Sequence, residues 1–202
     1  MRAVLASKNA HKLEEISKIV EQFDMQLVLQ SELGIDVDVE ETGTTFEENS
    51  MLKARAVMEK SGLPAIADDS GLMVDALDGA PGIYSARFGG DRCHSDRERY
   101  EYVLSLLETV PEERRTARFV SVITLLYPDG TAVVARGECP GRILRGPRGE
   151  NGFGYDPVFF VGEDGKTMAE MDPERKNEIS HRARALQALA AKLKEAERHA
   201  DK

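Results

Sequence analysis

Apolar positions along the chain alternate between short continuous runs and stripes at helical spacing. Residues 2–6 (Arg-Ala-Val-Leu-Ala) read as a short buried strand. They lead through Ser7-Lys8-Asn9 into a segment with Leu13, Ile16, Ile19, Val20 and Phe23 on one helical face. Residues 26–29 (Gln-Leu-Val-Leu) predict a second strand, and the acidic stretch 36–43, closed by Gly43, predicts a loop. Thr44 and Glu47 form a capping box for a helix over 45–60, which Gly62 and Pro64 end. The apolar run 64–67 (Pro-Ala-Ile-Ala) predicts a buried strand ending in Asp68-Asp69-Ser70-Gly71, and residues 78–82 form a turn cluster.

The second half continues the mixture. Ser95 and Glu98 cap a helix over 96–108, with Tyr100, Val103, Leu104 and Leu107 facing inward. Residues 116–127, rich in β-branched and aromatic side chains, turn at Pro128-Asp129-Gly130 into 131–136, so a hairpin is expected. From 137 to 157 the chain is dense in Gly, Pro and Arg, which predicts a long loop of the kind that usually carries function. A last helix over 179–197 buries Ile179, Ala183, Leu186, Leu189, Ala190 and Leu193. Helices and strands that alternate early, followed by a hairpin, imply an α/β fold with a mixed sheet.

Composition narrows the classes of function. The 202 residues are 41% hydrophobic and 31% charged, ordinary for a globular chain and against disorder. A net charge of −9 argues against gripping a nucleic-acid backbone. The excess acid lies in residues 1–100, with 19 Asp/Glu against 11 Lys/Arg. Cys93 and Cys139 lack zinc-site spacing and imply no disulfide framework, so a reducing, cytoplasmic setting is expected. The first apolar run is too short for a signal peptide, and no run approaches a membrane span.

Four constellations carry candidate chemistry. Ser7-x-Asn9-x-x-Lys12 brings a hydroxyl, a carboxamide and an ammonium to a strand–helix junction, where amide N–H groups and the helix dipole favour phosphate. Asp68 and Asp69 end a strand at the edge where α/β proteins bind ligands. Their alternation aims only one of them into a site, while the other packs or caps. With Glu40 or Glu41 as a second carboxylate, that aspartate suits a hard cation such as Mg²⁺. Gly152-Phe153-Gly154-Tyr155-Asp156-Pro157 offers aromatics on a glycine-hinged loop for stacking a base, and an acid for its ring N–H groups. Lys176, His181 and Arg182 gather donors around a helix start capped by Ser180. His11, His94 and His199 show no ligand spacing or nucleophile pairing.

Taken in order, SxNxxK, the EETG-TF segment at 40–46, PAIADDSGL at 64–72, GAPGIYSAR at 79–87, GFGYDP at 152–157 and SHR at 180–182 resemble one family across residues 2–195. It is the inosine triphosphate pyrophosphatase family, which acts on non-standard purine nucleotides. The resemblance implies hydrolysis of ITP, dITP or XTP to the monophosphate and pyrophosphate with Mg²⁺, ATP and GTP being spared. It implies a single elongated, two-lobed α/β domain over 1–202, with a long central mixed sheet flanked by helices, a nucleotide cleft between the lobes, and a homodimer. By position, Ser7, Lys8, Asn9, Ala10, His11 and Lys12 would hold the triphosphate, Lys12 relieving charge on the leaving group. Glu40 and Asp69 would serve the metal, Asp69 also accepting the proton of the attacking water, and Ser70 would touch substrate. Phe153, Gly154, Tyr155 and Asp156 match the base-binding loop, and Lys176, His181 and Arg182 the remaining nucleotide contacts. Two other functions remain compatible with such a pocket: a Maf-like pyrophosphatase for pyrimidine or modified nucleotides, and a nucleotide sensor without turnover. Neither nucleic acid nor membrane is expected as a partner.

Overall fold

The computed structural model describes residues 1–7 and 10–200, the side chains of Ala10, His11 and Ala200 excepted. Lys8 and Asn9, both expected at the phosphate, lie outside the described residues, as do the side chains of Ala10 and His11. In chain order the regular elements are β1 (Arg2–Leu5), α1 (Ala10–Val20), β2 (Gln26–Leu29), α2 (Phe46–Ser61), β3 (Ala65–Val74) and α3 (Asp96–Leu106). They continue as β4 (Thr116–Leu126), β5 (Ala132–Ile143), β6 (Phe159–Val161), β7 (Lys166–Thr167), α4 (Pro173–Ile179) and α5 (His181–Ala200). One open mixed sheet runs in the order β2-β1-β3-β4-β5-β6-β7. β1 pairs in parallel with β2 and β3, whereas β6 is antiparallel to both β5 and β7. The expected α/β architecture is present.

The chain folds as two compact units, each built from more than one stretch of sequence. The first comprises Met1–Asp69, Ser121–Gly137 and Arg184–Lys202, and the second Ser70–Val120 and Glu138–Ala183. In the first unit one sheet face carries Leu5, Ile66, Ile123 and Leu125 against Ile16 and Val20 of α1 and Leu186, Leu189 and Leu193 of α5. The other face sets Val4, Ala65 and Ala67 against Ala54 and Val57 of α2. In the second unit Leu72, Val74, Phe119, Cys139, Ile143 and Phe159 enclose a core with Val103 of α3 and Leu107, the residue that caps its end. Burying a valine, leucine, isoleucine or phenylalanine side chain in these cores contributes roughly 1.5–3 kcal/mol.

Three local expectations shift. Thr45, not Thr44, is the N-cap of α2, accepting from the Glu48 amide, while Thr44 donates to the Glu48 carboxylate. The cap therefore sits one residue later, although the same short segment supplies it. β3 does not stop at Asp68-Asp69-Ser70-Gly71 but continues to Val74, because each aspartate meets a lysine and the strand need not turn out to water. β5 extends through Gly137-Glu138-Cys139-Pro140-Gly141 to Ile143. There glycine is a packing requirement: a Cβ at Gly141 would lie 2.5 Å from the Phe160 carbonyl oxygen and 2.6 Å from Phe159 Cζ. The Ser95–Glu98 capping box forms as expected, and Ser180 accepts from the Ala183 amide at 3.2 Å. α4, which the pattern did not suggest, carries Lys176.

No helix among the described residues is long and apolar enough to cross a membrane. Cys93 and Cys139 are both buried thiols outside any disulfide.

Candidate functional site

Side-chain alternation along β3 sends Asp68 to the α1 face and Asp69 to the α2 face. On the first, Lys12 Nζ lies 2.8 Å from Asp68 Oδ1 and 2.7 Å from Oδ2. On the second, Lys53 Nζ bridges Asp69 Oδ1 at 2.8 Å and Glu41 Oε1 at 2.9 Å. Two neighbouring acids of one strand thus organise two ammonium groups supplied by two helices. Both clusters belong to the first unit, as does Ser7, which is half-buried between β1 and α1.

Asp69 is buried, and that burial pushes its carboxyl above the ordinary aspartate range. Lys53 and Asn49 pull the other way, and the negative Glu41 adds to the rise. Burial works against the charge on Lys53, but Asp69 and Glu41 outweigh it and hold the ammonium more firmly than usual. Asp69 Oδ2 and Asn49 Nδ2 are both buried outside hydrogen-bond geometry, Asn49 favouring the carboxylate's charge without completing a bond, so this oxygen keeps accepting capacity. Asn49, completely buried, accepts the Gly43 amide at 2.8 Å and so ties the Glu40–Gly43 loop to α2. A Cβ on Gly43 would sit 2.6 Å from Asn49 Oδ1, which explains the glycine. Glu40 itself is exposed, and the structure brings its neighbour Glu41 to Lys53 and Asp69.

Oxygen donors of this kind suit a hard cation. Among the described residues no cluster of three Asp, Glu, His or Cys forms. A pair of carboxylates with one uncommitted oxygen fits Mg²⁺, which takes one or two protein carboxylates and fills its shell with water and phosphate oxygens.

The second unit holds the other expected contacts. Asp156 is buried and its Oδ2 accepts the Phe153 amide at 3.0 Å and Lys176 Nζ at 2.5 Å. The Gly154 amide donates to Asp96 at 2.8 Å. Tyr155 lies in the core with its hydroxyl donating to the Ser85 carbonyl, and burial raises its phenol pKa. The loop is therefore pinned through Tyr155 and Asp156, leaving Phe153 as its outward aromatic, 66% exposed, with Lys176 Nζ 5.1 Å from its ring centroid. His181 opens α5 stacked on Phe119, with centroids 5.0 Å apart and planes 20° from parallel, and Arg182 follows it, half-buried. Ser70 is half-buried on β3.

Comparison with known proteins accords with the motif order. A family model described as the Ham1 family matches residues 3–192. The chain belongs to the Ham1 family. A dITP/XTP pyrophosphatase of Vibrio parahaemolyticus is 50% identical over 194 residues, 95% of this chain and 96% of that protein. The solved structure of a HAM1 protein from Coxiella burnetii has a TM-score of 0.90 at 43% identity, covering 96% of this chain and 99% of that one. The Staphylococcus aureus Ham1 protein gives 0.90 at 44%, over 97% and 100% of the two chains.

In this Ham1 family protein, sequence reading overlooked Lys53, Asn49 and Phe119. A signal for the first two existed. The core-facing positions of α2 run Phe46, Asn49, Ser50, Lys53, Ala54 and Val57, so three polar residues occupy a stripe that packing alone would make apolar. Ser50 uses its place to bond the Ala67 carbonyl and the Thr124 hydroxyl, a structural role. Phe119 gave no such signal, because an aromatic in a strand is ordinary core.

Gly152 is the hinge of the aromatic loop. Its φ is +80°, and a Cβ there would lie 2.1 Å from Asp156 Oδ2 and 2.9 Å from Lys176 Nζ. Gly152→Ala is expected to cost about 1–3 kcal/mol of stability through that left-handed backbone and the displaced ion pair. Urea unfolding measures it, and an unchanged midpoint would contradict the packing described.

Proposed function

We propose that this protein hydrolyses the non-standard purine nucleoside triphosphates ITP, dITP and XTP to the monophosphate and pyrophosphate, clearing them from the nucleotide pool. The observation that carries the reading is the pair of lysine–carboxylate clusters around Asp68 and Asp69 in a member of a family whose relatives are named dITP/XTP pyrophosphatases. Cleavage between the α and β phosphates requires a water in line with the departing pyrophosphate and relief of the charge gathering there. Asp69 Oδ2 accepts a hydrogen bond from that water and takes its proton. Lys53 fixes the orientation of the Asp69 carboxylate through Oδ1 and holds Glu41 beside it. Lys12, with Ser7 at the β1–α1 junction, holds the phosphate tail and offsets its charge. Asp69 and Glu41, with Glu40 on the same loop, would hold Mg²⁺. When bound, the ion supplies Lewis-acid activation of water and charge neutralisation on phosphate oxygens.

Base selection follows from donors. Hypoxanthine and xanthine present an oxygen at C6, whereas adenine presents an amino group. His181 and Arg182 offer hydrogen-bond donors, which satisfy the oxygen and clash in sense with the amine. Phe153 supplies a flat apolar face for the ring. Homodimerisation and a cytoplasmic setting accompany this reading, supported by the family resemblance and the two buried thiols.

Incubation with Mg²⁺ and either ITP or ATP tests the proposal. Pyrophosphate is the expected product, ITP is preferred at least about 10²-fold, and EDTA abolishes turnover. Orthophosphate as product, or equal rates on both nucleotides, would overturn it.

A further inference from the structure

Asp68 has a conspicuous place and no role in the chemistry above. It is buried, with 3% of its side chain exposed, and adjoins the proton acceptor in sequence while facing the opposite side of the sheet. The parallel register pairs Leu5 with Ile66, and two residues further along each strand direction come Ser7 and Asp68. Asp68 therefore stands beside the β1–α1 junction. Both of its oxygens receive Lys12 Nζ, at 2.8 and 2.7 Å. Lys12 keeps 23% of its side chain exposed against 3% for Asp68, so a partly exposed lysine is held by a buried, fixed anion.

The geometry points to Asp68 as a positioning residue that sets where the Lys12 ammonium meets the phosphate tail; this inference rests on the nucleotide reading above. A lysine side chain has four rotatable bonds and loses up to about 2 kcal/mol of rotamer entropy when ordered. A two-oxygen grip from a strand residue orders it before any ligand arrives, so that entropy is not lost on binding. Placement on β3 gives the precision, because a central strand moves less than a loop. The carboxylate is itself unfavourable to an approaching polyanion, which makes the outcome decidable. Asp68 either improves phosphate capture by ordering Lys12 or impairs it by occupying and neutralising the cation.

The test is a double-mutant cycle on the full chain with Asp68→Asn, Lys12→Met and the pair, read by ITP hydrolysis and by inhibition with two probes. Pyrophosphate reports the phosphate tail, and inosine monophosphate reports the base and first phosphate. Asp68→Asn is expected to raise the pyrophosphate inhibition constant about tenfold while leaving that of inosine monophosphate within about twofold. In the Lys12→Met background the same substitution should change pyrophosphate inhibition by less than about twofold, since its effect passes through Lys12. Asp68→Glu, which keeps the charge, should recover part of the loss. The double variant carries no unpaired buried charge and guards against misfolding of Lys12→Met.

Equal weakening of both probes, additive losses in the cycle, or tighter pyrophosphate binding in Asp68→Asn would each overturn the inference. Wild-type protein that does not hydrolyse ITP would overturn the functional reading beneath it, and this is seen before any variant is made.

Discussion

Asp69→Asn is expected to lower ITP turnover by about 10³-fold or more while leaving the fold as stable as before or more so. The amide oxygen can still take the Lys53 ammonium where Asp69 Oδ1 does now, at 2.8 Å. The other position becomes an NH₂ group, which neither accepts a proton from water nor serves a cation. Catalysis is lost at the atom that the protein leaves without a hydrogen bond. The stability expectation follows from the raised pKa of the buried carboxyl. Because the folded chain binds this proton more tightly than the unfolded one, ionisation costs stability. That cost grows as pH rises from the unfolded pKa through the folded one. Asparagine carries no charge to bury, while Lys53 retains Glu41. Initial rates of pyrophosphate release and a thermal melt measure the two halves. Retained turnover would remove Asp69 from the mechanism, and a large loss of stability would show its ion pair to be a net stabiliser.

The largest stability effect is expected away from the chemistry, at Arg115. This residue is 1% exposed in the second unit. Its guanidinium donates from Nε to the Ile143 carbonyl at 2.9 Å, from Nη1 to Leu107 at 2.6 Å and from Nη2 to Leu144 at 2.8 Å. One fork thereby ties the C-terminal end of α3 to the end of β5. Three carbonyls, carrying partial negative charge, take the place of a carboxylate. Arg115→Met keeps much of the apolar volume and leaves all three acceptors buried without that donor, which should cost about 3–5 kcal/mol in urea unfolding. Arg115→Lys should cost nearly as much, since a single ammonium cannot reproduce a planar fork reaching three directions. A loss below about 1 kcal/mol would mean that water replaces the guanidinium.

How far the chain could be read without its fold is clearest at particular residues. Ser95 and Glu98 announced α3 because a capping box is complete within four residues. Gly141 misled, because its meaning lies in Phe159 and Phe160, which approach it across the β5–β6 pairing. The glycine-rich look of 137–143 suggested a loop, whereas close approach of another strand demanded the missing side chains. Tyr155 and Phe153 looked equivalent on the aromatic loop, and only packing separated them, one bonded to Ser85 in the core and the other turned outward. Residue chemistry did not separate Glu40 from Glu41 and the family resemblance pointed to Glu40, whereas the reach of Lys53 brings Glu41 into the cluster.

The sequence by itself determined the α/β class, the positions of β1, α1, β2 and α3, and the ordered motifs that mark the family. Periodicity, caps and short motifs are local properties, complete within a turn or two of chain. It also determined that Asp68 and Asp69 face opposite ways, since alternation is intrinsic to a strand. Only the tertiary structure decided what each would meet: Lys12, 56 residues away, for one, and Lys53, 16 residues away, for the other. An ion pair depends on which helix covers which face of a strand, and that is settled by the packing of the whole sheet rather than by any window of sequence.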